Sequence, residues 1–183
     1  MKITPFKKFL NENNKENIAI IGHMGSGKSL FGGKISHYFN VEHIDIDREI
    51  SKYENSTIND IFLSKGEIYF RKIEALIALD ILEKKNVIIS LGGGSILNKK
   101  TRDKIKKHSF SIFLDVDIYI LNKRLKKSKN RPLLKDSNIL TILQQLDKRR
   151  RKFYTNADFT INNSSSLNAA FLSFKKKFLF QNV

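Results

Sequence analysis

Residues 18 to 30 read Ile18-Ala19-Ile20-Ile21-Gly22-His23-Met24-Gly25-Ser26-Gly27-Lys28-Ser29-Leu30, and the fold follows from how they are interpreted. The Ile-rich start has the composition of a buried strand. Gly22, Gly27, Lys28 and Ser29 then complete the phosphate-binding spacing G-x-x-x-x-G-K-[ST]. A phosphate chain in such a loop lies against backbone N–H groups, so Gly22, Gly25 and Gly27 keep side chains out of its way. Lys28 adds a positive charge, Ser29 offers a hydroxyl to Mg²⁺, and the helix that starts here turns its positive dipole end toward the same anion. A simple glycine turn requires neither Lys nor Ser after its last glycine, which favours the phosphate reading.

Composition narrows the class. A chain of 183 residues with 40% hydrophobic content has the size of one domain with a full core. Cysteine is absent, which excludes disulfides and thiolate metal sites and agrees with a reducing cytoplasm. No run reaches the ~18 apolar residues of a membrane span. Residues 1 to 17 lack the apolar core of about 7–15 residues that marks a secretory signal. The 34 basic residues against 18 acidic ones leave a net charge of +16. That balance admits nucleic acid, a membrane surface or small polyanions as partners. Much of it sits on expected outer helix faces, such as Lys99, Lys100, Lys104, Lys106, Lys107 and Lys175 to Lys177, so a solvated lysine surface with no specific nucleic-acid or membrane partner is expected.

Outward from the loop, residues 1 to 17 form a polar arm, loose or with a short helix around Phe6 to Leu10. A helix runs from the loop to about Tyr38, with Gly32 and Gly33 allowing close packing on the sheet. Val41 to Asp47 reads as a strand ending in Asp45 and Asp47, whose i, i+2 spacing puts both carboxylates on one side. Ser56 or Thr57 caps a helix that breaks at Lys65-Gly66 and resumes from Glu67 to about Lys84. By spacing alone, Arg71 and Glu74 in it make an exposed ion pair worth about 0.2–0.5 kcal/mol. A third strand, Val87 to Leu91, runs into Gly92-Gly93-Gly94, where the backbone must approach something closely. Ser90, not an aspartate, closes this strand, which leaves Asp45 as the carboxylate for a metal. Ser111 to Val116 is a fourth strand and Asp117 to Lys127 a helix. The basic segment 126 to 137, with Arg131-Pro132-Leu133-Leu134, reads as a mobile lid. A helix from Ser137 to Tyr154, a strand at Asp158 to Ile161 and a helix from Leu167 to Phe180 complete the chain. This alternation predicts an α/β, three-layer fold: a five-stranded parallel sheet flanked by helices, a helical insert at 48–84 and the lid, in one domain spanning 18–183.

The phosphate loop, Asp45-Ile46-Asp47, the block Ile61-Phe62, Gly66-Glu67, Phe70-Arg71 and Glu74, the triple glycine, Arg131-Pro-Leu-Leu134, and Arg150 four residues before Tyr154 occur in the order found in shikimate kinases. The chain from about Ile18 to Phe180 resembles that family of small P-loop kinases. The resemblance implies ATP-dependent phosphorylation of the shikimate 3-hydroxyl, in aromatic amino acid biosynthesis; a cytoplasmic monomer is expected. It further implies that ATP is held by Gly25, Ser26, Gly27, Lys28, Ser29 and Leu30, with Arg124 against adenine and Arg131 on the transferred phosphate. Ser29 and Asp45 are implied to support Mg²⁺. Arg71 and Arg150 would grip the shikimate carboxylate, while Asp47, Gly92, Gly93 and Gly94 face the ring hydroxyls. Lys28, Asp47 and Arg131 are the implied catalytic residues, with Asp47 either accepting the hydroxyl proton or only orienting the hydroxyl. The family's proline is missing from Arg149-Arg150-Arg151-Lys152, so choosing among these arginines rests on counting back from Tyr154. Asn162, Asn163 and Ser164 to Ser166 stand where the family often has basic residues near adenine.

Other classes fit less well. A gluconate or nucleoside-monophosphate kinase shares the loop and lid but has less use for paired arginines beside Asp47 and the triple glycine. A GTP-dependent switch needs an Asp-x-x-Gly segment and an Asn-Lys-x-Asp reader; the first is absent, and Asn122-Lys123-Arg124-Leu125 fails at its last position.

Overall fold

The computed structural model describes residues 3–126 and 138–180. β1 (Asn17–Ile21) lies at the centre of a five-stranded sheet. It pairs with β3 (Ile88–Ser90) on one side and β4 (Ser109–Asp115) on the other. β2 (His43–Asp45) lies outside β3 and β5 (Phe159–Asn162) outside β4, so the order is β2-β3-β1-β4-β5 with every pairing parallel. With both faces of the sheet covered, the side-chain period of two explains why β1 is buried throughout and apolar from Ile18 onward. Ala19 and Ile21 join the core on one face, Ile18 and Ile20 the core on the other.

One face is covered by α1 (Pro5–Glu12), α2 (Lys28–Phe39) and α8 (Leu167–Phe180), which bring Phe6, Phe9, Phe31, Phe39, Phe174 and Phe178 together. The opposite face is covered by α3 (Ile46–Glu54), α4 (Ile58–Ile81), α5 (Lys99–His108) and α7 (Ile139–Tyr154). α6 (Ile118–Lys126) meets α7 through Leu121, Leu125 and Leu143, with Met24 of the phosphate loop packed on them.

The alternatives for the amino-terminal stretch resolve to the helix. Thr4 caps α1 and Pro5 fits its first position. Phe6, Phe9 and Leu10 are buried, and the Phe9 ring meets Phe110 at 4.9 Å and Phe178 at 5.1 Å. Thr57 caps α4, and Gly66, at φ 79° and ψ 172°, interrupts it where the break is expected.

One expectation is overturned. Asp45 and Asp47 do not share a strand, because β2 ends at Asp45 and a helix begins at Ile46. Asp45 is the N-cap of α3, its Oδ1 accepting from the main-chain N–H of Asp47 at 3.0 Å and of Arg48 at 3.4 Å. The capping bond converts the strand after one carboxylate and places Asp47 in the first helical turn. The expected lid, Arg131 included, lies outside the described residues apart from Lys126. Among the described residues no helix is long and apolar enough to cross a membrane.

Candidate active site

The loop between β1 and α2 leaves the carboxyl end of the central strand, where open parallel sheets place their ligands. Gly27, at φ 93°, is the N-cap of α2 and supplies no side-chain bond. The N–H groups of the first turn are therefore left for an anion. Lys28 curls over the loop, its Nζ donating to Gly22 O at 3.0 Å and His23 O at 2.9 Å. Behind the loop, Asn163 Nδ2 donates to Ser26 O at 2.8 Å, and Arg124 Nη2 donates to Asn163 O at 2.7 Å. Asn163 thus supports the loop in the segment where sequence comparison shows only the loss of basic residues.

A cavity of about 290 Å³ opens on this loop, lined by Lys28, Ser29, Asp45, Asp47, Ser90 and Gly93 among others. Ser90 turns away from phosphate chemistry: its Oγ donates to Lys28 O at 3.1 Å and lies 2.9 Å from His43 Nε2, holding the first turn of α2. Asp45 is buried and Ser29 exposed on the same cavity. A hydroxyl and a carboxylate suit Mg²⁺, which prefers oxygen donors and takes few of them from protein. Among the described residues no group of three or more His, Cys, Asp or Glu is placed to hold a metal ion.

The second half of the site lies across the triple glycine. Arg71 Nη1 pairs with Glu74 Oε2 at 2.7 Å, and Ser95 Oγ donates to Glu74 Oε1 at 2.8 Å. Glu74 is 2% exposed, so this is no surface pair: the carboxylate is fully committed to orienting one guanidinium. Glycine leaves room for these two side chains as they stand, since a methyl at Gly92 would overlap Glu74 Oε1 and one at Gly94 would overlap the Arg71 guanidinium. Burial pulls the Arg71 pKa down, but Glu74 and Glu67 outweigh it and hold the group above its ordinary value. Arg71, Glu74, Gly94 and Arg149 line a cavity of about 470 Å³.

The three consecutive arginines separate by environment. Arg149 is exposed on the Arg71 cavity. Arg151 is tied to Asp147 at 2.8 Å and to Asp115 at 3.3 Å. Arg150 is 3% exposed, and its Nε is buried with no hydrogen-bond partner. Burial lowers its pKa, with the nearby Arg71 charge pushing the same way. Tyr154 beside it donates to Gly93 O at 2.6 Å, and burial pushes its phenol up to about 12. The structure therefore gathers Lys28, Ser29, Asp45, Asp47 and Gly93 on one cavity, and Arg71 and Gly94 on the adjoining one. Arg150 is buried beside Tyr154 and lines neither of these two cavities. Spacing gives the Arg71–Glu74 pair, as an exposed one, but neither its burial and link to Ser95 nor the support by Asn163, because those contacts join segments far apart in sequence.

A phosphate loop, an adjoining pair of aspartates and a guanidinium-lined second cavity define a P-loop kinase of the small-molecule type. A family model described as shikimate kinase matches residues 24–178, and the chain belongs to the shikimate kinase family. A shikimate kinase from Aquifex aeolicus is 40% identical over 144 residues, covering 79% of this chain and 84% of that protein. One from Buchnera aphidicola is 38% identical over 159 residues, covering 85% and 91%. The solved shikimate kinase from Acinetobacter baumannii, in complex with shikimate, superposes with a TM-score of 0.86 at 28% identity, covering 97% of this chain and 98% of that one.

Proposed function

We propose that this chain transfers the terminal phosphoryl group of ATP to the 3-hydroxyl of shikimate, giving shikimate 3-phosphate for aromatic amino acid biosynthesis. The observation that carries the acceptor assignment is Arg150: a buried guanidinium with an unpartnered Nε, close to the oriented Arg71. A carboxylate is the ligand that satisfies both forks. The donor end is the Gly25–Leu30 loop, with Arg124 beside adenine and Arg131 assigned to the transferred phosphate by family position.

Phosphoryl transfer requires alignment and neutralised charge more than covalent help, since the transferred group is loosely bonded in the transition state. Lys28 supplies charge at the phosphates. Asp47, facing the same cavity, orients the acceptor hydroxyl and takes its proton late as the new P–O bond forms. Gly92 to Gly94 bring bare backbone to the ring hydroxyls. Ser29 and Asp45 would hold Mg²⁺, which when bound neutralises phosphate charge. Action as a monomer in the cytoplasm is part of the same proposal.

The test is ADP release from Mg-ATP with shikimate, gluconate and nucleoside monophosphates compared side by side. Shikimate alone should drive turnover. Turnover with gluconate or a nucleotide and not with shikimate refutes the assignment.

A further inference from the structure

His23 occupies the first variable position of the phosphate loop, where phosphate binding asks nothing of the side chain because the backbone does the work. Its imidazole is nevertheless 2% exposed and directed at α7. Nε2 lies 2.8 Å from Asp147 Oδ1, and the ring meets Tyr154 edge-on at 4.9 Å and 78°. Arg151 Nε also donates to Asp147, its N–H shared between Oδ1 at 2.9 Å and Oδ2 at 2.8 Å, while Arg151 reaches Asp115 at the carboxyl end of β4. A carboxylate only accepts, so the His23 proton sits on Nε2. Burial lowers the His23 pKa, Asp147 opposes this, and Arg150 and Lys28 add to it, so the ring is a neutral donor at neutral pH. α7 is thereby fastened at one point to the phosphate loop and at another to the sheet. One turn from the first fastening it carries Arg150, and two turns from it Tyr154.

We propose that His23 is a positioning residue that acts through Asp147. It locks the phosphate loop to the helix bearing the acceptor arginine, so donor phosphates and acceptor carboxylate are set relative to each other before transfer. This rests on the reading of the loop as donor site and Arg150 as acceptor ligand. A fault in mutual alignment slows the chemical step more than it weakens either ligand alone.

The experiment compares His23→Phe, Asp147→Ala, their double variant and His23→Gln with the parent. It measures kcat with shikimate and, by separate titration, the dissociation constants of ADP alone and shikimate alone. His23→Phe keeps an aromatic ring against Tyr154 and removes only the donor. Each of these two single variants is expected to lose about tenfold or more in kcat, with both dissociation constants within about twofold of the parent. The double variant should lose no more than the worse single one, and His23→Gln, which keeps an N–H donor, should recover part of the rate. If His23→Phe does not fold, Asp147→Ala and His23→Gln decide on the same criteria. Parental kcat in His23→Phe, losses that multiply in the double variant, or losses that appear only in binding overturn the proposal. A parent inactive on shikimate overturns the acceptor reading instead.

Discussion

Replacing Arg150 with Met should make the protein more stable and less able to bind its acceptor. The guanidinium is 3% exposed, its Nε has no partner, and burial already depresses its pKa. A buried polar group left unsatisfied costs about 1–3 kcal/mol. Exchanging buried charge for apolar volume is often neutral or stabilising by about 1–4 kcal/mol. Glu74 keeps Arg71 and Ser95 in the variant, so no carboxylate is stranded. The expected gain is about 1–2 kcal/mol, near the lower ends of those ranges. For a chain of this size, that raises Tm by roughly 2–8 °C. Against it, the acceptor loses a charge-assisted bond worth about 1.5–3 kcal/mol, a KM increase for shikimate of about 10- to 150-fold. Thermal unfolding by circular dichroism and a coupled ADP-release assay read the two quantities independently. A variant with lower Tm and an unchanged shikimate KM would refute the reasoning, because Arg150 would then be structural.

Further outcomes follow from neighbouring contacts. Lys28→Met should lower kcat by about 10²- to 10³-fold or more with unchanged circular dichroism, as expected when a charge at the transition state is removed; near-parental turnover would dismiss the loop as donor site. Gly94→Ala places a methyl where the Arg71 guanidinium lies, and the flexible end of Arg71 yields more readily than backbone. Shikimate titration should show affinity weakened by about tenfold or more with little change in Tm, and parental affinity would show that Arg71 does not read the acceptor. His23 and His43 both have pKa values lowered by burial. The unfolded chain therefore takes up protons near pH 6.5 while the folded one does not. Their contribution to stability is fully present above that pH and is lost as pH falls through the lowered folded values. Urea titrations at pH 7.5 and 5.5 should show the loss in the parent and a smaller loss in His23→Phe; equal losses would place the titration elsewhere.

The phosphate loop, the order of strands and helices and the break at Gly66 were legible because each is a local signal: spacing, period or a backbone requirement. Asp45 and Asp47 were legible as a pair but not in geometry, since the capping bond that starts α3 competes with strand extension and wins. The first helix was half legible, its apolar stripe of Phe6, Phe9 and Leu10 being short and set among Lys and Asn. Glu74, Asn163, Asp147 and Tyr154 gain their roles only through tertiary contacts. Those contacts run from Glu74 to Ser95, Asn163 to Ser26, Asp147 to His23 and Tyr154 to Gly93. The triple glycine announced a close approach, and only the fold showed Arg71 and Glu74 to be what it makes room for.

Phosphorus NMR of the protein incubated with Mg-ATP and shikimate addresses phosphoryl transfer to one hydroxyl most directly. Loss of the γ-phosphate signal should be matched by a new phosphomonoester resonance that correlates with the proton on carbon 3 of shikimate, and Lys28→Met should produce neither. Release of inorganic phosphate alone, or a phosphoester correlated with another ring proton, would contradict the account.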